Sequence, residues 1–114
     1  MTRKILVVAN RTADSPDLIT ALRGRAAEDR IDFTLLVPAV SHGLASAADM
    51  KAGWAEAAVR ADRAGGRIRE AGLELEETIV GDPDPFVAVG DVLHVREFDE
   101  ILFEEEPARE AVAA

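Results

Sequence analysis

Apolar runs and helical stripes alternate along the chain. Two runs, Lys4–Asn10 and Ile31–Pro38, are short, rich in aliphatic and β-branched residues, and bounded by turn residues. Runs of this kind are typical of strands that are covered on both faces of a parallel sheet. We therefore predict two central strands at these positions.

Two further segments have weaker strand patterns. Residues 73–80 alternate, with Leu73, Leu75 and Ile79 on one side and Glu74, Glu76 and Thr78 on the other. Such alternation gives a strand one solvated face, as expected at the edge of a sheet. The fourth predicted strand is Phe98–Phe103.

Three helices are predicted between these strands. The first begins at Ser15–Asp17, where serine can cap free N–H groups, proline fits the first turn and aspartate suits the positive end of the dipole. The third begins at the sequence GDPDPF, with Asp82 or Asp84 as its cap. The predicted buried stripes are Leu18, Ile19, Leu22 and Ala26 in the first helix, Ala47, Met50, Trp54, Ala58, Ala61, Ile68 and Ala71 in the second, and Phe86, Val89 and Leu93 in the third.

The alternation of strands and helices predicts an α/β fold with right-handed crossovers. The sheet should be parallel, with helices on both faces in a three-layer sandwich. Central first and second strands and an edge position for the third are satisfied by the strand order 3-2-1-4. In such a sheet ligands bind where the order reverses, beyond the carboxyl ends of strands one and four.

Composition limits the number of domains and the class of partner. We expect one domain over residues 1–106 and a frayed tail over 107–114. Thirteen basic residues face 22 acidic ones, a formal charge of −9, so we expect no nucleic-acid surface. The amino-terminal apolar run is too short for a signal peptide or a membrane span, which predicts a cytoplasmic protein without membrane contact. Without cysteine the chain has no disulfide and no thiolate site.

Several segments resemble the universal stress protein family, in particular its small, divergent actinobacterial versions. The matching segments are KILVVANRTADS, FTLLVPAV, ETIVGDPDPFVAV and FDEILF, so the resemblance covers about residues 3–103. It implies a flavodoxin-like, Rossmann-like sheet, a role in stress response, frequent dimerisation and, in some members, ATP binding. In those members an acidic residue ends the first strand, and a glycine-rich run follows the fourth strand.

This chain departs from the family's nucleotide site. Asn10 stands at the acidic position, and residues 104–114 contain no glycine and no fifth strand. Phosphate sites need converging backbone N–H groups, whereas Glu104–Glu106 offer only acceptors and repel phosphate. We therefore expect that ATP binding is lost. Arg11 would then pair with Glu104 or Glu105 and plug the crevice.

The remaining candidate residues could line a small-molecule site without a phosphate loop. They are Ala9, Asn10, Thr12, Ser15, Val37 and Gly81, although Ser15 and its neighbours also suit a plain turn and helix cap. The glutamates make a poor cation cage, since consecutive residues of an extended chain point to opposite sides. His42, Ser41 and Asp49 lack the surroundings of a hydrolase triad. We therefore predict no catalytic residue, no metal and no cofactor.

The sequence thus leaves two functional hypotheses. The first is a non-catalytic regulatory or interaction domain that forms a homodimer, through the unpaired edge of the fourth strand or a neighbouring helix face. Trp54 is a candidate dimer anchor or a core residue. The alternative is a nucleotide- or metabolite-binding stress protein that uses the crevice between strands one and four.

Overall fold

The computed structural model describes residues 2–9, 13, 15–40 and 47–104. Its elements follow in the predicted order: β1 (Arg3–Ala9), α1 (Pro16–Ala26), β2 (Ile31–Pro38), α2 (Ala47–Glu70), β3 (Glu74–Gly81), α3 (Pro85–Leu93) and β4 (Glu100–Glu104). The predicted tail, 107–114, lies outside the described residues.

The four strands form one parallel sheet in the order β3-β2-β1-β4. Strand β1 lies between β2 and β4, with Ile5 beside Phe33 on one side and beside Glu100 on the other. The predicted fold class and strand order are confirmed. The uniformly apolar strands are central because only there are both faces of a strand removed from water.

Helices α1 and α2 cover one face of the sheet. The buried cluster on this face contains Ile5, Val7, Ala9, Ala13, Leu18, Leu22, Ile31, Phe33, Leu35, Val37, Ala57, Ala61, Ala64, Ile68 and Leu75. Phe33 is fully buried at its centre. The predicted stripe of α1 is confirmed, since Leu18 and Leu22 are buried and Ile19 and Ala26 pack against the cluster.

Helix α3 is the one described helix on the opposite face. The buried cluster there is smaller and contains Leu6, Val8, Leu36, Ala88, Val89 and Val92. Ile79, Phe98 and Ile101 pack at its margin and are partly buried. One helix of nine residues is too narrow to shield a four-stranded sheet, so several apolar side chains near α3 remain exposed.

The predicted buried stripe of α3 is wrong for two of its three residues. Val89 is buried, but Phe86 is 75% and Leu93 43% exposed, and Ala88 and Val92 take their place. Helix α3 is apolar on most sides, so its pattern alone does not select the side that faces the sheet. The packing of α3 against β2 and β3 makes that choice.

Helix α2 faces the sheet with small residues. Ala61 and Ile68 are buried as predicted, together with Ala57 and Ala64, while Met50 is 62% and Trp54 49% exposed. Alanines allow the helix backbone to lie close to the strands, and the two large side chains are left at the margin. Trp54 is therefore not a core residue.

A glycine, Gly72, follows the end of α2. The Gly72 N–H donates to the Arg69 carbonyl at 3.0 Å and the Leu73 N–H to the Ile68 carbonyl at 3.3 Å. Gly72 has φ +82°, the left-handed conformation that closes a helix in this way and that costs glycine no steric clash. The chain then turns directly into β3.

The predicted alternation of β3 is interrupted. Phe33 is beside Leu75, but the next residue of β2, Thr34, is beside Glu77, so one residue of β3 is extra. A bulge of this kind reverses which face the following side chains point to. Leu75 therefore packs with the α1 and α2 cluster, whereas Ile79 packs with the α3 cluster. The predicted edge position of β3 is confirmed.

Candidate functional site

The strand order reverses between β1 and β4. From β1 the chain continues to β2 on one side, and from β3 it crosses to β4 on the other. The last residues of the two strands are neighbours, with Ala9 directly beside Glu104. We call the space beyond these two residues the β1–β4 notch. It is the place where parallel sheets of this class hold ligands.

Two candidate residues, Ala9 and Val37, lie at the carboxyl ends of adjacent central strands. Both side chains are buried in the α1 and α2 cluster, at 1% and 0% exposure. Their side chains therefore pack the core and do not reach a ligand. At these two positions the backbone is the part of the residue that a ligand could contact.

Ser15 acts as the cap of α1. Its Oγ accepts a hydrogen bond from the Asp17 N–H at 3.1 Å, and Pro16 occupies the first helical position. This bond satisfies one of the free N–H groups at the start of the helix. The predicted helix cap at Ser15 is thus confirmed.

Gly81 lies at the end of β3, away from Ala9. Strand β2 separates β3 from β1, which places Gly81 about two strand spacings, or roughly 10 Å, to the side. A Cβ at Gly81 would lie 2.8 Å from the Ala88 Cβ and 3.0 Å from the Leu36 Cδ1. The glycine therefore allows α3 to pack closely on the sheet.

The other predicted members of the site lie outside the described residues. These are Asn10 and Thr12 of the candidate ligand set and Arg11 and Glu105 of the predicted plug. The ion pair between Arg11 and a glutamate therefore stays a prediction. Glu104 is partly buried at the tip of β4.

At the amino end of the sheet two arginines pair with one carboxylate, that of Glu100. Glu100 accepts from Arg25 and, at 3.3 Å, from the Arg3 Nη2. The Lys4 backbone N–H donates to the Asp99 Oδ2 at 2.8 Å. These contacts fasten the start of β4 to β1 and α1, at the end of the sheet opposite the notch.

The first turn of α3 is built by two aspartates. The Asp82 Oδ1 accepts from the Asp84 N–H at 2.9 Å, and the Asp84 Oδ1 accepts from the Phe86 N–H at 2.9 Å. Of the two predicted caps, Asp84 is the N-cap. Both carboxylates are used to form the turn, which is the structural reason for the sequence GDPDPF.

Sequence reasoning missed an aromatic pair beside β4. The rings of Phe86 and Phe103 are 5.7 Å apart between centroids and tilted by 41°. Phe103 is 41% exposed and Phe86 more so, which leaves an apolar surface next to the edge strand. The surface was missed because Phe86 was predicted to be buried in the core.

Within residues 2–9, 13, 15–40 and 47–104, no group of three or more His, Asp or Glu side chains is arranged to hold a metal ion. No helix of that part of the chain is both long and apolar enough to cross a membrane.

Comparison with solved structures shows the same fold. The chain is similar to a protein of the universal stress protein family from Burkholderia pseudomallei, with a TM-score of 0.62 and 16% identity. The match covers 97% of this chain and 87% of that chain. No family model matches the sequence, and no curated protein matches it.

Proposed function

We propose that this chain is a non-catalytic domain of the universal stress protein type, a regulatory or interaction protein that does not hold ATP. The fold likeness to a member of that family supports the type of domain. The observation that carries the loss of ATP binding is the register of the notch, where Glu104 ends β4 directly beside Ala9.

The chemistry of the notch argues against a bound triphosphate. A phosphate site of this fold needs backbone N–H groups that converge without side chains between them. Here Glu104 begins a run of three glutamates, and residues 105–114 contain no glycine. Two like charges about 4 Å apart repel by about 1 kcal/mol in water and by several times that near a protein surface. A triphosphate would meet more than one such pair.

Ligand-induced stabilisation tests this proposal. We expect no change in the melting temperature of the protein with Mg-ATP, ADP or AMP. A ligand at a hundred times its dissociation constant would stabilise the protein by about 2.7 kcal/mol, which a melting curve resolves easily. Saturable stabilisation by ATP would contradict the proposal. Stabilisation by an uncharged metabolite alone would favour the alternative of a metabolite-binding protein.

We further propose that the domain acts as a homodimer through the β4 edge. Within the described residues β4 pairs with β1 on one side, and its other side lies at the edge of the sheet. Exposed strand edges are normally paired or covered. The Phe86–Phe103 pair beside this edge adds the aromatic surface that is typical of interface centres.

Light scattering after size-exclusion chromatography tests the dimer. We expect a mass of about twice the 12.2 kDa of one chain. Phe103→Ala should shift the protein towards the monomer, because it removes half of the aromatic pair. Met50→Ala, which shortens another exposed apolar side chain on the opposite face of the sheet, is the control. A strict monomer at high protein concentration would overturn the homodimer.

A further inference from the structure

A groove follows the outer edge of β3, the strand at the opposite end of the sheet from β4. Its volume is about 500 Å³, and it lies between α2 and α3. Its lining includes Trp54, Ile79, Val80, Asp82, Asp91 and Val95. We call it the β3-edge groove.

Backbone hydrogen-bonding groups of β3 face this groove. The Gly81 carbonyl points towards β2, where it accepts from the Ala39 N–H at 2.9 Å. Backbone groups of successive strand residues point to opposite sides, so those of Thr78 and Val80 face away from β2. No strand among the described residues pairs with β3 on that side. This edge can therefore accept one more strand.

Apolar side chains stand on both sides of the edge. On the α2 side Val80 packs against the larger cluster and lies near Trp54, which is half exposed. On the α3 side Ile79 belongs with the smaller cluster, and Val95 is 79% exposed. A strand added here would bring its side chains alternately against Trp54 and against the α3 wall.

The charged side chains that line the groove indicate what kind of partner it can bind. Three carboxylates, those of Glu77, Asp82 and Asp91, line it together with one guanidinium, that of Arg96. Arg96 forms an ion pair with Glu77, so the excess charge is that of the two aspartates. In a symmetric antiparallel pair of β3 edges, the end of one strand with Asp82 would lie beside the start of the other strand, which carries Glu74 and Glu76. Acidic residues would then meet acidic residues, which is repulsive. A second copy is therefore a poor occupant, and a basic partner is a good one.

We propose that the β3-edge groove binds an extended segment of a partner protein in which apolar and basic residues alternate. The segment would add a strand to β3, with backbone hydrogen bonds supplying affinity and the alternate side chains supplying specificity. Apolar residues would pack on Trp54 and Val80. Basic residues would face Asp91 and the end of β3 near Asp82.

Of the residues that the structure describes, the β3-edge groove shares none with the notch or with the aromatic pair at the β4 edge. The groove lies at the other edge of the sheet, with β2 and β1 between it and the notch. Peptide binding is measured without nucleotide and does not depend on the oligomeric state of the protein. Failure of one proposal therefore leaves the other open.

The test uses a short synthetic peptide in which lysine and valine alternate. Trp54 is the single tryptophan of the chain, so its fluorescence reports on the groove directly. We expect saturable binding with a blue shift of the emission as the peptide covers the ring. A peptide of alternating glutamate and valine should not bind. Equal binding of both peptides, or no binding of either, would overturn the inference.

A pair of charge variants tests the side-chain part of the interaction. Asp91→Lys should weaken binding of the lysine peptide by about tenfold at low salt, because an attraction in the groove becomes a repulsion. Glu28→Lys is the matched control, since it makes the same change in net charge at an exposed position after α1. Equal loss in the two variants would mean that only net charge matters and would overturn the assignment to the groove.

Backbone methylation of the peptide tests strand addition. Alternate N–H groups of an added strand point to the same side, so one set faces β3 and the other faces solvent. Methylation of every second nitrogen should abolish binding for one of the two sets and spare it for the other. Equal behaviour of the two peptides would overturn strand addition. A concentration-dependent blue shift without any peptide would identify a second copy as the occupant and would also overturn it.

Discussion

The two faces of the sheet differ in how completely they are covered. On one face α1 and α2 bury a cluster that contains Phe33, Ile5 and Ile68 without exposure to solvent. On the other face α3 alone covers a smaller cluster around Leu6 and Leu36. The first face can supply most of the folding free energy. The second leaves apolar surface exposed at both edges of the sheet, where we place the two proposed interactions.

The largest effect on stability is expected at the centre of the well-covered face. Phe33→Ala should lower the free energy of unfolding by about 3–5 kcal/mol, because a fully buried ring is lost and a cavity remains. Urea denaturation followed by circular dichroism measures the change. A loss below about 1 kcal/mol would show that this cluster is not the principal core.

The next largest loss of stability is expected at Gly81, where α3 packs closely against the sheet. Gly81→Ala should cost about 1–3 kcal/mol, since the new methyl group would meet Ala88 and Leu36 at less than contact distance. Gly66→Ala is the control, because its Cβ would meet nothing within 4 Å and alanine favours a helix interior. Gly66→Ala should stabilise the protein by about 0.5–1 kcal/mol. Stabilisation by both changes would contradict close packing of α3 on the sheet.

A smaller loss is expected from an ordinary core deletion on the α3 face. Val92→Ala removes two methyl-sized groups from a side chain that is 6% exposed, which should cost about 1.6 kcal/mol. The same denaturation experiment measures it. A cost as large as that of Phe33→Ala would mean that the two faces contribute equally to the free energy of unfolding. The proposed difference between the two faces would then be wrong.

The loss of a helix cap should cost the same stability on either face of the sheet. Asp84→Ala and Ser15→Ala each remove one capping oxygen, on opposite faces of the sheet, and each should cost about 1 kcal/mol. Thermal melts of the two variants measure the change. Capping satisfies local N–H groups, so its contribution does not depend on which face the helix covers. A large difference between the variants would indicate that one helix carries a further role.

The sequence was enough to predict where the candidate site lies in the sheet, but not the structural role of each predicted residue. The continuous apolar character of the first and second strands and the alternation of the third were enough to fix the strand order, and this order brought Ala9 beside Glu104. The role of Gly81 was not predictable, because a glycine that ends a strand can serve a turn, a ligand or close packing. The position of Ala88 above it shows that this glycine permits close packing.

The sequence by itself determined the order of the elements, the starts of α1 and α3 and the parallel sheet. These features depend on local physics: the caps at Ser15 and Asp84 and the runs of apolar residues that need cover on both faces. The tertiary structure alone decided which side of α3 meets the sheet, where β3 bulges and that Trp54 lies at an edge. Each of those outcomes depends on what a neighbouring element offers in space, and a linear pattern does not contain that information.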